Sequence, residues 1–145
     1  MSDGAPRMRV VELEIRSDVN EIERVVELVR RECEVMRFAR RQLMLNVPVA
    51  LTEALSNAIL RGNADDPAKS VRVHARIDHR TLVVEVTDEG AGFDLEACTV
   101  DPTTPERLHG EVGRGLFLMR KLMDRVERFA GRPGNVVRLT LQRAS

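Results

Sequence analysis

Apolar and polar side chains alternate one for one along SVRVHARI (70–77), with Val71, Val73, Ala75 and Ile77 on one face. A period of two marks a half-buried strand. The turn residues DHRT and the apolar run LVVEVTD then return the chain, so 70–88 is predicted to be a β-hairpin. Upstream, MRVVELEI (8–15) is short, β-branched and partly alternating, which predicts an edge strand. The period then changes. Ile22, Val25, Val26, Val29, Cys33 and Met36 recur at helical spacing, predicting one long amphipathic helix over 18–41 that opens at a capping box of Asp18 and Glu21. A second helix is predicted within LNVPVALTEALSNAILRGN (45–63). Asn46 would be its N-cap, and Pro48 sits in the first turn, where a missing N–H costs nothing. Val47, Leu51, Ala54, Leu55, Ala58 and Ile59 form its buried stripe.

Beyond the loop GNADDPAK (62–69) and the hairpin, residues 95–112 are polar, broken by DPTTP and without a period. So long a stretch reads as a functional lid or a disordered segment. GRGLFLMRKLMDRV (113–126) predicts a helix that starts at its glycines, and ERFAGRPGNVVRLTLQ (127–142) predicts strand, turn, strand. With no repeat, low-complexity tract or linker, residues 1–145 are expected to form a single domain. A domain of that length buries roughly 68–70% of its unfolded surface, enough for a core without staples.

Composition narrows the function classes. Basic and acidic residues balance at 23 each, which argues against a general polyanion binder and gives no sign of a DNA-binding patch. Lys69 and Lys121 are the only lysines, and arginine favours specific carboxylate or phosphate pairing. The simplest reading of Arg24, Arg30, Arg31, Arg37, Arg40 and Arg41 is a solvated helix face. Cys33 and Cys98, with His74, His79 and His109, lack metal-ligand spacing. The N-terminus has no apolar signal core, and no run approaches the ~20 residues that cross a bilayer, so a soluble, cytoplasmic protein without membrane partners is expected.

Three short constellations carry candidate chemistry. Glu53 and Asn57 stand four apart on the second helix, hence on one face. An Asn amide oxygen suits a hard cation such as Mg²⁺, and a carboxylate one turn earlier could take a proton from an attacking hydroxyl or water; a solvated polar face is the plainer alternative. VTDEGAGFD (86–94) ends a strand at Asp88, whose carboxylate accepts from an exocyclic amine such as adenine N6, while Gly90 and Gly92 admit a planar ligand close to the backbone. Taken alone it is also an ordinary turn. GEVGRGL places Gly110, Gly113 and Gly115 at a helix start, where unpartnered N–H groups and the helix dipole attract phosphate. Neither a Walker-type phosphate loop nor a dinucleotide-binding glycine motif is present.

In this order the three constellations resemble the GHKL ATPase superfamily, which includes gyrase-type topoisomerases, heat-shock chaperones, sensor histidine kinases and mismatch-repair ATPases. LTEALSNAILRGN, VTDEGAGFD and GRGLFLMRKLMDRVE are more narrowly similar to bacterial anti-sigma factor serine kinases. The resemblance spans about residues 8–143. It implies an α+β two-layer sandwich: a mixed, mostly antiparallel sheet with three helices on one face, and ATP under the 95–112 lid. It also implies that Asp88 binds the adenine amine, that Gly90 and Gly92 line the base pocket and that Asn57 binds Mg²⁺. Gly110, Gly113 and Gly115, with the Arg114 and Leu116 amides, would wrap the phosphates, and Glu53 would be the general base.

Such kinases phosphorylate a serine of a STAS-domain anti-anti-sigma protein, alternately sequester a sigma factor, and commonly form homodimers. The outer face of the first strand and helix would supply the dimer surface. The chain departs from the family at Arg61, often His, and at Gly134-Asn135, where Thr often follows the glycine. The resemblance also admits a switch kinase of a stress-signalling module, or an ATP-binding module that sequesters without transferring phosphate. A histidine kinase fragment fits poorly, because the first helix contains no His.

Overall fold

The computed structural model describes residues 8–90, 111–130 and 134–144. β1 (Met8–Arg16), β2 (Ser70–Asp78), β3 (Thr81–Thr87), β4 (Arg125–Ala130) and β5 (Asn135–Gln142) form one sheet in the order β1-β2-β3-β5-β4. Every described pairing is antiparallel. The alternation read from the sequence is realised. Val71, Val73, Ala75 and Ile77 of β2, with Leu82, Val84 and Val86 of β3, are buried on one face. The hairpin between them closes through the Asp78 carboxylate, which accepts from the N–H groups of Arg80 and Thr81 at 2.7 and 2.8 Å.

α1 (Ile22–Val35), α2 (Val47–Asn57) and α3 (Glu111–Leu122) complete the core, with α2 packed against both of the others. The expected helix over 18–41 is not continuous. α1 stops at Val35, Arg37 adopts a left-handed φ of 64°, and helix resumes at Arg40. Met36 and Phe38 are both buried. In an unbroken helix two residues two apart lie about 200° around the axis from each other, so only a break turns both inward. The capping box is half formed. Asp18 accepts from Asn20 N–H, but Glu21 pairs with Arg24 instead of reaching back.

α2 is flanked by π-helical turns, Gln42–Asn46 before it and Ala58–Gly62 after it, giving one unbroken helical stretch. Asn46 is therefore inside the helix and caps nothing; its Nδ2 donates to Leu122 O at 2.7 Å, tying α2 to the end of α3. The wide turn lies where the Pro48 ring would crowd the carbonyl one turn back. Gln42–Gly62 spans 21 residues and is, by length and composition, apolar enough to cross a membrane, which the sequence reading did not anticipate. Its apolar side chains Val47, Leu51, Leu55 and Ile59 are buried in the core, as in the central helix of a two-layer domain. α3 begins at Glu111, so the last two positions of the expected lid are helical; positions 95–110 lie outside the described residues.

Candidate nucleotide site

β3 pairs with β5, so the end of β3 meets the start of β5, and the Asp88 N–H extends the ladder by donating to Asn135 O at 3.0 Å. At that corner a small cleft, about 20 Å³ in volume, lies between sheet and helix, lined by Asn57, Ala58, Val86, Asp88, Arg128, Asn135 and Val137. The strand-end carboxylate and the helix carboxamide singled out above thus share one cavity.

Asp88 is 5% exposed. Its Oδ1 accepts from Gly90 N–H at 3.0 Å and from Asn135 Nδ2 at 3.4 Å. Burial pushes its carboxyl pKa above the ordinary value, opposed by those hydrogen bonds and by the charge of Lys69. A carboxylate short of solvent, with no partner to its Oδ2 among the described residues, is a strong acceptor for an amine. Its position depends on Gly62, which sequence reasoning missed: a Cβ there would lie 2.1 Å from Asp88 Oδ2. Gly90 is needed for the same kind of close approach, since a Cβ on it would meet Gly62 O at 1.4 Å.

The π turn after α2 places these groups. Asn63 N–H donates to Ala58 O at 2.8 Å, five residues back, so the helix carries one extra residue before it ends. Asn63, fully buried and also missed, then works as a clamp. Its Nδ2 donates to Ser17 Oγ and Ser70 O at 3.1 and 2.9 Å, and its Oδ1 accepts from Glu89 N–H at 2.8 Å. Glu89 in turn accepts from Ser70 N–H at 2.6 Å.

On α2, Asn57 Nδ2 is buried without a hydrogen-bond partner among the described residues. A buried orphan amide is costly, and one in a cleft wall calls for a ligand. A phosphate or ribose oxygen would satisfy the donor, and a half-turn of the amide would present its oxygen to a cation. Among the described residues no group of three His, Cys, Asp or Glu could hold a metal unaided. That donor set fits Mg²⁺ held by one protein oxygen together with phosphates and water.

Gly115 brings α3 onto this face. A Cβ there would lie 2.7 Å from Glu53 Oε1 and 3.4 Å from Asn57 Nδ2, so glycine lets the helix close over both. Leu116 is fully buried in the core. The first turn of an α-helix leaves N–H groups without internal partners, and the first described turn of α3 is residues 111–114. Gly113 and Arg114 are in that turn, whereas Gly115 and Leu116 follow it. Gly92 and Gly110 lie outside the described residues. Asn135, named above only as a departure from the family's threonine, and Arg128, on β4, also line the cleft; Arg128 was missed.

Residues 15–141 match the family of histidine kinase-like ATPase domains. An anti-sigma F factor of Halalkalibacterium halodurans is 31% identical over 85 residues, covering 58% of each chain. The serine-protein kinase RsbW of Bacillus subtilis is 33% identical over 86 residues, 56% of this chain and 54% of that one. The matched stretch spans a little over half the length of these relatives. A crystal structure of the RsbU and RsbW domains of a Mycobacterium tuberculosis protein superposes with a TM-score of 0.65 over 94% of this chain and 34% of that chain. At 17% identity this likeness is one of fold.

Proposed function

The chain belongs to the histidine kinase-like ATPase family, and from that premise we propose that it is an ATP-dependent protein serine kinase and anti-sigma factor. It binds Mg-ATP in the cytoplasm, phosphorylates a serine on a STAS-domain anti-anti-sigma protein, and alternately sequesters a sigma factor. The observation that carries the reading is the shared cleft: a buried acceptor, Asp88, and a buried orphan amide, Asn57, one helical turn from Glu53. Relatives named anti-sigma F factor and serine-protein kinase RsbW support the partner class and the acceptor. A homodimer belongs to the same proposal, supported by β1 being an edge strand with exposed Met8 and Val10.

In this reading Asp88 accepts from the adenine amine, and Asn135 keeps its carboxylate aligned. Asn57 would hold Mg²⁺, which when bound neutralises charge between the phosphates. The first-turn amides of α3, those of Gly113 and Arg114 among them, donate to phosphate oxygens, while Gly110 and Gly115 let the backbone approach and Gly92 lines the base. Glu53 takes the proton of the acceptor serine hydroxyl as its oxygen bonds to the γ-phosphorus and the bond to the ADP oxygen breaks. Transfer of this kind depends on positioning and charge more than on covalent chemistry.

The test is incubation with radiolabelled Mg-ATP and a STAS-domain protein. We expect phosphoserine on that protein, reduced about a hundredfold or more in Glu53→Gln while ATP affinity stays within about threefold. ATP binding with no transfer by the unsubstituted chain would instead mark a sequestering module.

A further inference from the structure

The end of the molecule opposite the cleft has an unbalanced charge. Along α1, Arg24, Arg30 and Arg31 pair with Glu21, Glu27 and Glu34, the Glu27 carboxyl pKa being held down at about 2 by its two arginine partners. Arg37, Arg40, Arg41 and Arg80 are exposed and form no ion pair among the described residues. Arg37 and Arg80 are drawn together by Arg143, the residue after β5. Arg143 N–H donates to Arg80 O at 2.6 Å, and its guanidinium donates to His79 O and, at 3.4 Å, to Arg37 O. Gln42, 7% exposed, locks the same corner, its Nε2 donating to Gln142 O while its Oε1 accepts from the N–H groups of Ala39 and Ala144. Of the neighbouring carboxylates, Asp78 is occupied by the hairpin turn and Asp124 accepts from Gln142 N–H at 2.6 Å.

This basic end is also apolar. Met44 is 63% exposed and Val35 is 50% exposed. Arg40 precedes Met44, and Arg41 precedes the exposed Leu45, by one turn of the same helix, so guanidinium and thioether share a row. A solvated helix face needs no exposed methionine one turn from an arginine that forms no ion pair among the described residues. Arginine and methionine are enriched in protein interfaces, and the guanidinium fork pairs with carboxylates at two points.

We propose that this end, with Arg40 and Arg41 one turn before Met44 and Leu45 on the helix and Arg37, Arg80 and Arg143 at the adjoining corner, docks an acidic amphipathic segment of a protein partner. Carboxylates lie against the arginines and an apolar side chain covers Met44. β5 runs the length of the sheet from Asn135 in the cleft to Gln142 beside the patch, eight residues or about 24 Å. That exceeds the ~8 Å screening length at physiological salt, so a partner held here leaves the nucleotide cleft open and little affected in potential. Duplex nucleic acid would make no use of Met44, and an anionic lipid surface would not need paired, planar donors.

The inference is independent of the proposed kinase reaction. The probe is an 18-residue synthetic helix with glutamate on one face and leucine on the other, titrated onto the full chain and followed by amide chemical shifts. Binding should weaken with added NaCl, perturb residues 37–45 and 143 but not 57 or 88, and fall at least about tenfold in Arg40→Glu/Arg41→Glu and in Met44→Ser. Thermal melting shows that the variants, all at exposed positions, remain folded. No binding of the acidic peptide overturns the proposal, as does equal binding by the charge-reversed variant. Tighter binding to phosphatidylglycerol vesicles or to duplex DNA overturns it too.

Discussion

At Asp88 the demands of folding oppose those of the proposed adenine contact. Burial raises its carboxyl pKa, and the bonds from Gly90 and Asn135 offset part of that rise. An acid whose folded-state pKa lies above its unfolded value binds its proton more tightly when folded. Its stabilising contribution is full below the unfolded pKa and is lost as pH rises through the folded one. The ionised form that an amine donor needs is therefore the form the fold tolerates less. Asp88→Asn should melt a few degrees higher than the unsubstituted chain at pH 7 by calorimetry, about 2–4 °C per kcal/mol, while losing ATP binding. ATP affinity of the unsubstituted chain should fall on acidification. In Asn135→Ala, which lacks a donor favouring the carboxylate, that fall should move to higher pH. Asp88, Asn57 and Glu53 are legible in the sequence because each sits at a fixed place on a periodic element. Gly62, Asn63 and Asn135 are not, because their partners lie elsewhere in the chain: Glu89 is 26 positions from Asn63, and Asp88 is 47 from Asn135.

Among the elements, strands were easier to read than helix ends. A strand's period of two is set by the pleat, and the hairpin at 70–88 formed as its alternation required. The helices were misread where the chain departs from a 3.6-residue repeat. Met36 and Phe38 both belong to the core, which no single helix permits, and the π turns around α2 shift the register without leaving a mark in the hydrophobic pattern. The second π turn matters most, since it delivers Asn63 into the junction of β1, β2 and the 88–90 segment. Asn63→Ala removes the partner of a half-buried Ser70 carbonyl and of Glu89 N–H, at a cost of about 1–3 kcal/mol in all. Urea denaturation should show that loss as a lower midpoint at unchanged slope. A loss below about 0.5 kcal/mol would mean that water replaces the side chain, and that the clamp does not hold the cleft.

For the molecule as a whole, β5 is the element that joins fold to function. Inserted between β3 and β4, it supplies Asn135 and Val137 to the cleft at one end and leads to Arg143 at the basic end at the other. A ligand at the cleft therefore touches α2, β3, β4 and β5 together, and must stabilise the whole cooperative unit. A ligand that binds only the folded chain at a hundred times its Kd adds about 2.7 kcal/mol. For a domain of this size that is about 5–11 °C in Tm. Saturating ATP with Mg²⁺ should produce a shift in that range, and chelation by EDTA should remove much of it, because the orphan amide of Asn57 alone cannot offset the phosphates' charge. Adenosine, which has the base but no phosphate, should give a smaller shift that EDTA leaves unchanged, because its binding rests on Asp88. If EDTA leaves the ATP shift intact, Asn57 does not serve a cation, and the cleft grips the nucleotide by its base and amides alone.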